Sequence, residues 1–181
     1  DRGEPPIVFT LGSSAVGAPG TFYDESVRAA TMLGRRAVFL VGKYAPALSQ
    51  SQLPDSMLAV DVAPHDALFP RAAAIVHHGG VGTTGQALRS GRPMLVVPHS
   101  HDQPDNGARL SRLGCGRMLD ARKYTAERAA AQLRILLGQP SYRQRAEAVG
   151  VEVRGENGTA TACDAIERAA AGKTVKITVK A

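Results

Sequence analysis

Residues 77–84 read His77-His78-Gly79-Gly80-Val81-Gly82-Thr83-Thr84 and follow directly on the apolar run 73–76. A strand, a glycine turn and a helix start in that order make an anion site. The first N–H groups of a helix have no intrahelical acceptor, and the macrodipole places partial positive charge there. Glycines let a phosphate approach the backbone, and the Thr83 and Thr84 hydroxyls can donate as well. After a second apolar run and Pro98 comes His99-Ser100-His101-Asp102-Gln103. An ionised Asp102 only accepts hydrogen bonds, whereas the Gln103 amide both accepts and donates, which suits hydroxyl groups. A phosphorylated, hydroxyl-rich ligand would satisfy both clusters.

These groups need elements that bring them to one edge. Apolar runs at 6–11, 37–41, 57–62, 73–76, 94–97 and 116–119 read as strands. Helices are expected at 21–33, 64–69, from Thr83 to Gly91, from Asp102 to Leu113, and at 124–137, 141–153 and 159–171. Thr21, with Asp24 three residues on, and Thr125 are the expected caps. Six strands alternating with helices predict an α/β fold, a Rossmann-like doubly wound parallel sheet. Ligands bind such sheets at the carboxyl ends of the strands, where both clusters fall. Residues 1–172 are expected to form this one domain, and 173–181 a tail of unknown role: it alternates like a strand but carries no chemistry.

Composition narrows the function classes. The 181 residues suffice for one sizeable core. The net charge is +6, yet there are only four Phe, four Tyr and no Trp, and the basic residues are dispersed. That argues against a nucleic-acid partner. No run approaches the roughly 18 apolar residues of a membrane span, and the start does not read as a signal peptide. Cys115 and Cys163 lie far apart and are expected to be reduced, in a cytoplasmic protein.

Two other chemistries fit parts of the pattern. Gly80-Val-Gly82-Thr-Thr-Gly85 satisfies G-x-G-x-x-G, and Asp102 stands near the distance of a ribose-binding acid, so an NAD(P)-binding reading is legitimate. That fingerprint normally follows the first strand of its domain, and here others precede it. His77, His78, His99 and His101 with Asp102 could ligate zinc in a hydrolase. Neighbouring His77 and His78 on an extended backbone point to opposite faces, so at most one easily joins a common site.

The combined pattern is more specific than its parts. Pro64-His65 with Leu68-Phe69, then HHGGVGTT, ALRSGRPMLVVP, His101-Asp102-Gln103-Pro104-Asp105-Asn106 and the segment 109–114 resemble the C-terminal donor domain of GT-B glycosyltransferases. The nearest likeness is family 1, the UDP-glycosyltransferase superfamily, in its bacterial antibiotic, macrolide and sterol branch. The resemblance implies a metal-independent, inverting transfer of sugar from a nucleoside diphosphate sugar, UDP- or dTDP-linked, to a small-molecule or lipid acceptor. No cofactor is implied, and the sugar nucleotide (UDP-glucose or a dTDP-sugar) is substrate.

Matching positions carry the implied roles. His77 is similar to the histidine on the diphosphate, and Gly79, Gly80, Gly82, Thr83 and Thr84 to the phosphate-binding turn. Ser13 resembles the loop serine reaching the phosphates from the other side. Val62 and His65 stand where the family contacts the nucleobase, and Asp102 and Gln103 where it binds the transferred sugar. The plant form has a stacking tryptophan where Val62 stands, and a ribose-binding glutamate where Gly85 stands, next to Gln86. No Asp-x-Asp metal motif occurs. The family's acceptor-activating base lies in an N-terminal domain, so none of this chain's residues is expected to be catalytic in that sense. The expected partner is an acceptor-binding N-terminal domain or, alternatively, a separate acceptor subunit beside a free-standing donor-binding chain. Alone, the chain is expected to bind nucleotide sugar and transfer little.

Overall fold

A parallel sheet must be covered on both faces, so its strands read as unbroken apolar runs rather than alternating ones. The computed structural model, which describes residues 3–12, 19–42, 48, 50 and 53–172, follows this rule. The strands are β1 Ile7–Thr10, β2 Ala37–Leu40, β3 Met57–Val60, β4 Ala74–His77, β5 Met94–Val96 and β6 Gly116–Met118. They form one sheet of order β3-β2-β1-β4-β5-β6, with every neighbouring pair parallel. The α/β doubly wound sheet expected from the sequence is therefore present. Its strand order reverses between β1 and β4, where Thr10 stands opposite His77.

The helices are α1 Phe22–Met32, α2 His65–Leu68, α3 Val81–Ser90, α4 Gln103–Arg112, α5 Ala126–Gly138, α6 Pro140–Gly155 and α7 Gly158–Ala170. Alternation along the strands divides the core into two layers. Ile7, Phe9, Phe39 and Val76 pack with Phe22, Ala29 and Ala30 of α1 and Ala129, Leu133 and Leu136 of α5. Val8, Ile75, Met94 and Val96 pack on the other face with Phe69, Ala87 of α3, Leu110 of α4 and Ala146 of α6. Each fully buried Leu or Ile contributes about 1.5–3 kcal/mol from lost contact with water. Helix α7 buries none of its residues.

Three contacts hold the flanking helices. On the first face the Ser26 hydroxyl lies 2.8 Å from the Tyr124 hydroxyl, and Glu25 Oε2 accepts the Ala126 N–H at 2.6 Å. On the second, α3 ends at Gly91 in the left-handed region (φ 68°), and a Cβ on Gly150 of α6 would stand 2.8 Å from Gly91 Cα. The close approach of α6 to the end of α3 therefore requires glycine at Gly150.

Two details differ from the sequence reading, the Thr21 cap and the start of α3. Thr21 precedes α1 but makes no side-chain capping bond, because its φ and ψ of −89° and 6° are not the extended cap conformation. Thr125 does cap α5, accepting from the Arg128 N–H. Helix α3 starts at Val81, ahead of the expected start at Thr83. Ser13 and the 173–181 tail lie outside the described residues.

Candidate functional site

The site begins where β4 runs out beside β1. Gly79 has φ 91°, and a Cβ there would lie 2.8 Å from Val96 Cγ1 and 3.1 Å from the Gln103 carbonyl oxygen. The turn is thus pressed against β5 and the start of α4, which only glycine allows. Gly80 is the N-cap of α3 with no side-chain cap, and the first helical bond runs from Thr84 N–H to Gly80 O at 2.9 Å. The N–H groups of Val81, Gly82 and Thr83 precede that bond and have no intrahelical acceptor. They open at the strand-order reversal, the place where open α/β sheets bind ligands.

Polar side chains around the turn lack partners among the described residues. His77 is fully buried; its Nδ1 accepts the Gly79 N–H at 3.1 Å, which leaves the proton on Nε2. That Nε2 is buried and unbonded, as are His78 Nδ1 and Thr84 Oγ1. An unpaired buried polar group costs about 1–3 kcal/mol.

Burial first, and then His78 and His65, push His77 down to about 3. The ring is consequently neutral, and its Nε2–H is a donor.

Stability should depend on pH accordingly. His77 has a folded pKa below its unfolded 6.5, so its contribution is complete above 6.5 and is lost as pH falls from there toward 3. Between pH 7 and 5 the loss should be about 2 kcal/mol from His77 alone. His65 and His78, also lowered chiefly by burial, act in the same direction. Urea unfolding of wild type and His77→Asn at the two pH values isolates the term. The variant should lose about 2 kcal/mol less, and parallel losses would show that His77 is not buried neutral.

His78 carries no role in the donor-domain resemblance, only a candidate one as a zinc ligand, yet the structure brings it into the crevice. Its ring is wedged between two backbones: a Cβ on Gly12 would come within 2.4 Å of its Cε1, and one on Gly80 within 2.3 Å of its Nε2. The signal in the sequence was the glycine ending the first strand, which makes sense only once β1 is known to lie beside β4.

Val62, His65 and Gln86 meet at a cleft of about 340 Å³. His65 stacks on buried Phe69 with ring centroids 4.3 Å apart, so its imidazole offers a supported flat face, while Val62 is exposed. The sequence places Gln86 only beside Gly85; its position on this cleft follows from the packing of α3 against α2.

Asp102 and Gln103 are adjacent but not alike. Asp102 is exposed and makes no capping bond to α4. Its Oδ2 accepts from Asn106 Nδ2 at 2.8 Å, and the same amide nitrogen donates to Gly79 O at 2.8 Å. This bond ties α4 to the glycine turn. Gln103 is buried, and its Oε1 accepts the N–H groups of His99 (2.7 Å) and Ser100 (3.0 Å). Only its amide N–H groups remain for a ligand. The loop before Asp102 and Gln103 turns through His101 at φ 56°. Among the described residues no group of three or more His, Cys, Asp or Glu side chains is placed to hold a metal ion, and no helix is long and apolar enough to cross a membrane.

Residues 40–165 match the family described as erythromycin biosynthesis protein CIII-like, C-terminal domain. The chain is 38% identical to O-mycaminosyltylonolide 6-deoxyallosyltransferase of Streptomyces fradiae over 95% of its own length and 40% of that protein's. It is similar in structure to the glycotransferase of kitacinnamycin, with a TM-score of 0.83 and 30% identity over 93% of this chain and 44% of that one. A spinosyn rhamnosyltransferase complexed with thymidine diphosphate superposes with a TM-score of 0.82 and 26% identity, over 91% and 45% of the two chains. The chain thus spans less than half the length of each of these proteins.

Proposed function

This chain belongs to the erythromycin biosynthesis protein CIII-like C-terminal domain family, and on that premise we propose that it is the nucleotide-sugar-binding half of a GT-B glycosyltransferase. The observation that carries this reading is the uncapped start of α3 at the β1–β4 reversal, beside the unpartnered Nε2–H of His77. A diphosphate fits that arrangement, because its oxygens accept from backbone N–H groups that have no intrahelical acceptor.

In the proposed reaction an acceptor oxygen bonds to the sugar's anomeric carbon with inversion while that carbon's bond to the diphosphate breaks. The departing nucleoside diphosphate gains charge. The free N–H groups of Val81, Gly82 and Thr83, the Thr84 hydroxyl and His77 would stabilise it without a metal ion. Ser13 is proposed to approach the same phosphates from the β1 side. The base that takes the acceptor's proton is assigned to an N-terminal acceptor domain, which the partial coverage of the relatives supports. The supported imidazole of His65, with Val62, is proposed to face the nucleobase, and Asp102 and the Gln103 amide N–H groups the transferred sugar. The thymidine diphosphate in the rhamnosyltransferase complex supports dTDP as the donor nucleotide.

Titration calorimetry with dTDP, UDP and GDP tests this reading. Binding in the micromolar to millimolar range is expected for dTDP. Silence with all three alongside binding of NAD would replace the reading with a dinucleotide site.

A further inference from the structure

His99 has no task in that reading, yet its ring is held in place from two sides. Its Nδ1 lies 2.9 Å from Val97 O, and because a carbonyl only accepts, Nδ1 carries the proton. The ring also meets Phe22 edge-on, with centroids 6.5 Å apart and planes at 69°. Its backbone N–H is bound by the Gln103 carboxamide oxygen. In the neutral ring Nε2 is therefore a pre-oriented acceptor, and it has no partner among the described residues.

His99 is a wall shared by two clefts at the carboxyl ends of β5 and β6, of about 370 and 450 Å³. The larger has a mostly apolar floor of Pro98, Pro104 and Met118. Met118 lies against α4 where Gly107 leaves room: a Cβ there would stand 2.8 Å from the thioether sulfur. The cleft's polar rim is His99 with Asp120 and Arg122. Asp120 is already committed, accepting from Arg122 Nη2 at 2.7 Å, from its Nε at 3.2 Å and from its backbone N–H at 2.9 Å. The acceptor left open on the rim is His99 Nε2.

Position along the sheet edge then suggests an occupant. The glycine turn follows β4, Asp102 follows β5, and this cleft lies between β5 and β6. Because β4, β5 and β6 are neighbours in that order, a ligand with its diphosphate at the turn would run past Asp102 toward this cleft. We propose that this cleft is the subsite for the far edge of the transferred sugar, where His99 Nε2 accepts a hydroxyl and Met118 faces a carbon without oxygen. The assignment rests on the donor-binding reading above and makes His99 and Met118 specificity-determining residues.

The test is calorimetry of the chain with dTDP, dTDP-glucose and dTDP-6-deoxyglucose, with melting temperatures as a check on folding. Wild type should prefer the 6-deoxy donor. His99→Ala should leave dTDP affinity within about twofold and weaken both sugar nucleotides about three- to tenfold, the worth of one neutral hydrogen bond. Met118→Gln, an exposed-residue change that leaves His99 untouched, should narrow the preference for the 6-deoxy donor. Equal loss for dTDP and its sugars in His99→Ala, no loss in either variant, or an unchanged preference in Met118→Gln would overturn the subsite while the donor reading stands. Failure of wild type to bind dTDP at all would overturn the donor reading itself.

Discussion

Gly80→Ala is expected to weaken dTDP binding by about a hundredfold or more and to destabilise the fold by about 1–3 kcal/mol. The backbone at Gly80, with φ −62° and ψ 142°, is open to alanine, so strain in the main chain is not the cause. The added methyl would sit 2.3 Å from His78 Nε2 and 3.0 Å from its Cε1. An exposed ring would swing aside, but this one is 4% exposed and backed by Gly12. Relief of this clash shifts the α3 start, and with it the N–H contacts proposed for a charged ligand, worth about 1.5–3 kcal/mol each. For stability alone, Gly82→Ala is the control. Nothing lies within 4 Å of a Cβ there, so the fold should gain about 0.5–1 kcal/mol from helix propensity. Denaturant unfolding and dTDP calorimetry of the two variants decide the matter, and wild-type affinity in Gly80→Ala would refute the placement of the diphosphate.

Asp102→Ala should weaken a dTDP-sugar about tenfold to a hundredfold, the range for hydrogen bonds to a charged group. Bare dTDP should keep its affinity or gain slightly, since an ionised carboxylate repels a diphosphate. The carboxylate makes no capping bond to α4, so little stability should be lost with it. Gln103→Ala should behave differently. Its buried oxygen holds the N–H groups of His99 and Ser100, and their release should lower the melting temperature as well as sugar affinity. Dissociation constants for dTDP and dTDP-glucose across both variants separate the roles. Parallel weakening of both ligands in Asp102→Ala would remove Asp102 from the sugar.

The legible parts of this chain were those governed by neighbours in sequence. Residues 7–10 and 74–77 are apolar at nearly every position because a strand covered on both faces has no solvent side to mark. The glycine turn before α3 was readable for a similarly local reason: strand, glycines and helix start are consecutive. The same logic failed at the details that depend on contacts from elsewhere. His77 and His78 are chemically identical in the sequence. Only the neighbouring strand and turn show that one ring is fully enclosed and bonded to Gly79, while the other fills the gap between Gly12 and Gly80. Thr21 has a capping residue's chemistry, but its backbone does not take the conformation that would use it.

The sequence alone determined the fold class, the glycine turn ahead of α3 and the residues that resemble a sugar-nucleotide site, because periodicity and turn chemistry act over a few residues. Tertiary structure decided which of those groups share a space. It set β1 beside β4, tied Asp102 to the glycine turn through Asn106, and brought Val62, His65 and Gln86 to one cleft. It also turned Gln103 from an open ligand group into a loop anchor with only its N–H groups to spare, and left His99 Nε2 without a partner among the described residues. The physical reason is that burial and hydrogen-bond competition are set by residues distant in the chain, and no local pattern encodes them.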